Sequence, residues 1–123
     1  MQRQKVISVV DDDESVRQAL EGLLRSAGYR AATFASAEAF RESRYLSTTR
    51  CLILDLRMPG MGGFALQERL AGTGHRIPIV ILTAHGDDEA RRRALGAGAV
   101  AFLHKPVDGE ALLGAVEAAL RAR

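Results

Sequence analysis

Asp11, Asp12, Asp55, Thr83 and Lys105 supply three carboxylates, a hydroxyl and an ammonium, and each stands at the end of a short apolar run. Carboxylate oxygens with open positions beside them suit Mg²⁺, which keeps several waters and prefers a few carboxylates plus phosphate oxygens. A carboxylate can also attack phosphorus and form an aspartyl-phosphate. A divalent ion, a hydroxyl and an ammonium around it would neutralise the equatorial oxygens of the transferred group. Each residue also has a plainer reading. The acidic run Asp11-Asp12-Asp13-Glu14 can be a helix cap with its dipole partners, Thr83 a turn residue and Lys105 a solvated charge. Asp55, inside CLILDLRMPG, resists that treatment, because an unpaired carboxylate in an apolar run is costly to bury. The others gain weight by convergence on separate strand ends.

That chemistry requires a scaffold that brings the five residues to one rim, and the pattern predicts one. Strands are expected at Lys5–Val10, Tyr29–Phe34, Leu52–Leu56, Ile77–Leu82 and Val100–Leu103, from short β-branched and apolar runs. Helical spacing links Val16, Leu20, Leu23, Leu24 and Ala27, with Asp12 or Asp13 as N-cap and Gly28 as the stop. Further helices are expected from Ser36 through Phe40, around Phe64, Leu66 and Leu70, over Asp87–Leu95, and over Asp108–Leu120. Met58-Pro59-Gly60 ends the third strand. Five strands alternating with five helices predict an α/β fold: a doubly wound, five-stranded parallel sheet covered on both faces. Ligands of such sheets sit outside the carboxyl ends of the strands, where strand order reverses. With order 2-1-3-4-5, the strands bearing the five residues are contiguous.

Composition removes several other classes. The 123 residues suit one domain, and 47% hydrophobic with 26% charged is an ordinary globular balance. A net charge of +2 is too small to argue for nucleic acid or an anionic membrane. Cys51 is the only cysteine, and His75, His85 and His104 show no ligand spacing. The basic N-terminal residues run into three aspartates after only a few apolar ones, against a signal peptide. No apolar run approaches the roughly 18 residues of a membrane span. The expected location is cytoplasmic.

The segments VVDDDESVR, LILDLRMPGMGG, IVILTAHG and AFLHKPV resemble the four signature segments of response-regulator receiver domains, the CheY-like superfamily, and are most similar to its FixJ-type branch. The resemblance covers essentially the whole chain, 1–123, as one receiver domain with a flavodoxin-like fold. It implies that Asp55 accepts phosphate from the phosphohistidine of a sensor histidine kinase. It implies that Asp11 and Asp12 hold Mg²⁺, with Asp55 and the backbone carbonyl of Arg57 as further ligands. Thr83 then matches the switch hydroxyl, Lys105 the phosphate-pairing ammonium, and Phe102 the aromatic whose rotamer follows phosphorylation. The Lys105–Pro106 bond is expected cis, against a base rate of roughly 5–6%.

Such a domain is a signalling module that promotes its own aspartyl phosphorylation and dephosphorylation, and is not classed as an enzyme. Its output is expected to be transcriptional. The resemblance implies a phosphorylation-dependent homodimer through the helix 4–strand 5–helix 5 face, with no direct contact to nucleic acid or membrane. Phe102 and His104 are expected on the side of the fourth and fifth helices, opposite Leu103 and Lys105. No output domain follows the last helix before Arg123, so the domain either acts on a separate partner or an output domain lies outside this sequence. Three positions depart from the family's usual choices: Gly62, where relatives often carry a polar helix cap, His104 before the lysine, and His85 two after Thr83. A haloacid-dehalogenase-type phosphatase also uses a strand-end aspartate but wants a second one two residues on, where Arg57 stands. A degenerate, scaffolding receiver would lack the acceptor, acid pair or lysine, and a nucleotide-binding module would want glycines after the first strand.

Overall fold

The computed structural model describes residues 5–58, 60–84 and 88–121. In chain order the elements are β1 (Val6–Val10), α1 (Glu14–Ser26), β2 (Arg30–Phe34), α2 (Ala37–Arg41), a 3-10 turn (Arg44–Ser47), β3 (Thr49–Leu54), α3 (Gly63–Gly72), β4 (Ile79–Thr83), α4 (Asp88–Gly96), β5 (Ala101–His104) and α5 (Gly109–Arg121). All pairings are parallel and the order is β2-β1-β3-β4-β5. The expected doubly wound sheet is present.

Strand alternation divides the interior into two layers. Val10, Leu52, Leu54, Ile79, Ile81 and Phe102 point to the side covered by α2, α3 and α4, where they meet Phe40, Leu66, Leu70 and Ala94. Ile7, Val9, Cys51, Ile53, Val80 and Leu82 point the other way, against Leu20 and Leu24 of α1 and Leu112 and Val116 of α5. Strands buried on both faces need continuous apolar runs, which is why β1, β3 and β4 read so clearly. Burial pushes the Cys51 thiol up to about 12, so it acts as a small core residue and not as a nucleophile.

Local chemistry sets the helix ends. Asp13 caps α1 through Oδ1, which accepts from Ser15 N at 2.8 Å and Val16 N at 3.3 Å. Ser36 caps α2 through Ala39 N at 3.1 Å. The α1 end is closed by Gly28 at φ +94°, with its own N–H on the Arg25 carbonyl and that of Tyr29 on Leu24. A side chain at that φ would be strained, so glycine is the residue that lets the chain reverse into β2.

Several boundaries differ from the sequence expectation. β3 begins at Thr49, three residues early, because the Thr49 hydroxyl is satisfied at depth by Ser8 Oγ at 2.6 Å and by the Tyr45 carbonyl at 2.6 Å. It ends at Leu54, so Asp55 and Leu56 leave the strand, although Asp55 N still donates to Val10 O at 3.0 Å. β4 starts at Ile79, since Pro78 has no N–H and contributes only its carbonyl, accepting from Leu52 N at 2.9 Å. Pro59, His85 and Asp87 lie outside the described residues, so the expectations placed on them do not enter the structure.

Candidate functional site

Strand order reverses between β1 and β3, and the carboxyl ends of these two strands carry the acids. Asp11 directly follows β1 and is 2% exposed; Asp55 directly follows β3 and is 6% exposed. Asp12 is exposed. One carboxylate oxygen from each of Asp11, Asp12 and Asp55 lies within 4.8 Å of the others. From the end of β5, the Lys105 ammonium reaches across to Asp11 Oδ2 at 2.7 Å and Asp55 Oδ2 at 3.3 Å. Thr83, wholly buried, is the last residue of β4, and its carbonyl accepts from the Lys105 N–H at 3.0 Å. The structure thus gathers the three acids and the lysine around one point and places Thr83 on the strand between β3 and β5.

The two N-terminal acids are not equivalent. Asp11 Oδ1 also accepts from Asp13 N at 2.9 Å, and the Asp11 carbonyl accepts from Arg17 Nη1 at 2.7 Å. These bonds anchor the backbone of the acidic turn while leaving Asp12 at its open edge. Burial raises the Asp11 carboxyl above its ordinary range; the Lys105 bond and the Asp13 N–H offset part of that, and the Asp55 charge adds a last upward push. Burial is the largest single influence on Lys105 and works downward, but the bonds and charges of Asp11 and Asp55 together outweigh it, and its pKa is raised. Both shifts describe a desolvated ion pair.

Asp55 Oδ1 accepts from Arg57 N at 3.3 Å, while the Arg57 side chain is exposed. The Lys105–Pro106 bond is cis. Phe102, 6% exposed, points into the α2–α4 layer, and its ring meets His104 edge-on at 5.5 Å and 74°. Phe102 and His104 therefore share a side, as expected from strand alternation, but only α4 lies there. α5 packs on the opposite layer with Leu103, so the expectation that both helices share the Phe102 side is corrected. Sequence reasoning passed over Arg17 and Glu38. Arg17 sits one turn beyond the Asp13 cap, a spacing that could have suggested a return to the acidic turn. Glu38 accepts from Met61 N at 3.0 Å across 23 residues, and nothing in the local sequence announces it.

Oxygen donors alone, clustered this tightly and already drawing a cation in the form of Lys105, fit Mg²⁺ by hardness and by charge. Soft thiolate or imidazole donors are not part of the cluster. Among the described residues, no helix is long and apolar enough to cross a membrane.

Comparison with known proteins agrees with this arrangement. The family described as response regulator receiver domain matches residues 7–117. The chain is 44% identical over 119 residues to the response regulator protein TmoT of Ectopseudomonas mendocina, covering 97% of this chain and 54% of the relative. It is 38% identical over 115 residues to the transcriptional regulatory protein FixJ of Bradyrhizobium diazoefficiens, covering 94% of this chain and 56% of the relative. The chain spans about half the length of the curated relatives it matches. Among solved structures, the response regulator StyR superposes with TM-score 0.89 at 50% identity, covering 97% of this chain and 60% of that one. The structure titled FixJ-N gives 0.87 at 34%, covering 99% and 98%. The chain belongs to the response-regulator receiver domains, the phosphoacceptor modules of two-component signalling.

Proposed function

We propose that Asp55 is the residue that accepts the phosphoryl group, from the phosphohistidine of a sensor histidine kinase, in a reaction that depends on Mg²⁺. The observation that carries this reading is the triad of carboxylates within 4.8 Å, spanned by Lys105 at 2.7 Å and 3.3 Å. In the transfer, an Asp55 oxygen attacks phosphorus, the P–N bond to imidazole breaks, and the imidazole leaves with its electron pair. Asp11, Asp12, Asp55 and the Arg57 carbonyl would hold the ion, which neutralises charge on the phosphoryl oxygens when bound. Lys105 then exchanges its carboxylate partners for a phosphoryl oxygen, and the Thr83 hydroxyl donates to another. Burial of Asp11 and Asp55 strengthens both interactions by excluding water from the site.

The new bonds to Thr83 and Lys105 would be felt at the ends of β4 and β5, with Phe102 following from the α4 side. The altered surface would control an output domain, transcriptional in function, or a separate partner in the cytoplasm. Leu95 and Val100, the exposed large apolar residues at 36% and 40%, lie on α4 and just before β5. They support a phosphorylation-dependent homodimer through the α4–β5–α5 face, made by the same patch on each copy. The whole chain would act as one receiver domain that neither binds nucleic acid nor turns over a substrate.

Intact-mass measurement after treatment with acetyl phosphate and Mg²⁺ tests the assignment. The wild type should gain one phosphate and Asp55→Asn none. Stoichiometric labelling that persists in Asp55→Asn would overturn it.

A further inference from the structure

The loop between β3 and α3 carries Arg57 and enters α3 without a local cap. Gly62 occupies the N-cap position in extended backbone, φ −82° and ψ 177°, and no side chain there accepts a hydrogen bond. A Cβ at Gly63 would stand 2.6 Å from the Asp55 carbonyl oxygen and 2.8 Å from Leu56 Cα; one at Gly62 would stand 3.2 Å from the Leu56 carbonyl oxygen. α3 starts flush against the backbone of the acceptor aspartate, and Gly63 N donates to Leu56 O at 3.0 Å. Gly63 has no room for a Cβ, and Gly62 leaves the start of α3 without an accepting side chain.

A carboxylate from α2 holds the loop just before this turn. Glu38 Oε2 accepts the Met61 N–H at 3.0 Å, and the same oxygen lies 2.9 Å from where a Cβ on Gly60 would be. The carboxylate therefore lies against two consecutive residues at the tip of the loop. Gly60 holds φ +73°, which keeps the turn bent toward Glu38. The Met61 bond is also the main reason the Glu38 carboxyl is held below its ordinary value, so it is fully ionised at neutral pH. Met58 and Met61, on either side of the tip, pack on the α2–α4 layer.

We propose that Glu38 is a positioning residue for phosphoryl transfer: its carboxylate clamps the Gly60–Met61 turn, and through it the segment bearing the Arg57 carbonyl, and so sets Mg²⁺ affinity. The inference rests on the proposed reading of Asp55 and its metal. Glu38 touches neither the ion nor the phosphate; it acts by fixing the backbone that would, in the way supporting bonds orient metal ligands.

Amide hydrogen exchange and Mg²⁺ titration by NMR, on wild type, Glu38→Ala and Glu38→Gln, test this. Glutamine keeps an accepting oxygen and loses the charge, so it separates a clamp from a field effect. In metal-free protein, Met61 N–H exchange should rise about tenfold or more in Glu38→Ala and stay near wild type in Glu38→Gln, with β1 and β3 amides unmoved. The Mg²⁺ Kd should rise by roughly threefold to tenfold in Glu38→Ala alone. Unchanged Met61 exchange in Glu38→Ala would overturn the proposal. So would a uniform rise across the sheet, an unaltered Mg²⁺ Kd, or a glutamine variant that behaves like alanine. A wild type that takes no Mg²⁺ counts against the reading of Asp55, and Met61 exchange then still judges the clamp separately.

Discussion

Lys105→Met isolates what the ammonium does for the unphosphorylated site. The Lys105 side chain is 18% exposed, its partners Asp11 and Asp55 3% and 7%, so the pair sits mostly out of water. Removing one member of such a pair leaves uncompensated buried charge and typically costs about 3–5 kcal/mol. Because the site opens to solvent at Asp12, the low end, about 3 kcal/mol, is the expected loss at neutral pH without metal. For a domain of this size that lowers the melting midpoint by roughly 10–15 °C. The sign with pH follows from Asp11. Its folded pKa is already raised and loses the downward pull of Lys105 in the variant. An acid whose folded pKa lies above its unfolded value near 3.9 is favoured protonated, so stability is highest in acid and is lost as pH rises from about 4 through the folded value. The deficit of Lys105→Met against wild type should therefore shrink toward about pH 4 and be full at neutrality. Mg²⁺ should stabilise the variant more than the wild type, since in the wild type the ion must displace Lys105 from Asp11. Thermal melts followed by circular dichroism, in EDTA and in millimolar Mg²⁺, read all three effects. A variant within about 0.5 kcal/mol of wild type in EDTA, with equal gains from Mg²⁺, would refute the reasoning.

Thr83→Ala should still take up phosphate at Asp55, because the acceptor and the acid pair are intact. It should weaken the proposed phosphorylated dimer by about tenfold in Kd, the weight of one hydrogen bond of ~1.5 kcal/mol to a charged group, as measured by sedimentation. Phe40→Ala removes a fully buried ring that meets Phe34 edge-on at 5.4 Å, and should cost about 3–5 kcal/mol in denaturant unfolding. Its labelling by acetyl phosphate should remain stoichiometric below the lowered midpoint, since Phe40 lies in the α2–α4 layer and supplies none of the site's polar groups.

The parts of the site that could be read from residue order are those tied to strand ends. A parallel sheet places every strand's carboxyl end on one rim, so an apolar run followed by Asp, Thr or Lys gives position and chemistry together. That logic located Asp11, Asp55, Thr83 and Lys105. It was blind to inequality within the rim: Asp11 and Asp12 are neighbours of one type, yet one is buried and bonded three ways and the other faces solvent. Nor does residue order show that burial is the leading cause of the raised pKa at Asp11 and the Asp55 charge the smallest. Contacts that depend on tertiary approach left no periodic signal. The Ser8–Thr49 hydroxyl pair, which starts β3 early, spans 41 residues, and the Glu38–Met61 bond spans 23. Gly62 did register as a missing cap, but not that Glu38 of α2 holds the loop before it.

The same ledger of contacts indicates which element a change at the rim would move. β1, β3 and β4 are buried along their length, and α1 and α5 each present several apolar residues to the sheet. α4 buries only Ala94 among its residues. Its further ties include Gln67 Nε2, which donates to the Ala94 carbonyl at 3.0 Å, the Arg93 guanidinium, which stacks 3.9 Å from the Phe64 ring centroid, and the half-buried Ala90, packed on the α2–α4 layer. Small apolar burial means a small cost of displacement. The Gln67 bond holds the C-terminal turn of α4 to α3, and Ala90 packs the first turn against the α2–α4 layer. A surface that includes one polar helix with little buried apolar area can change without disturbing the core that keeps the acids together.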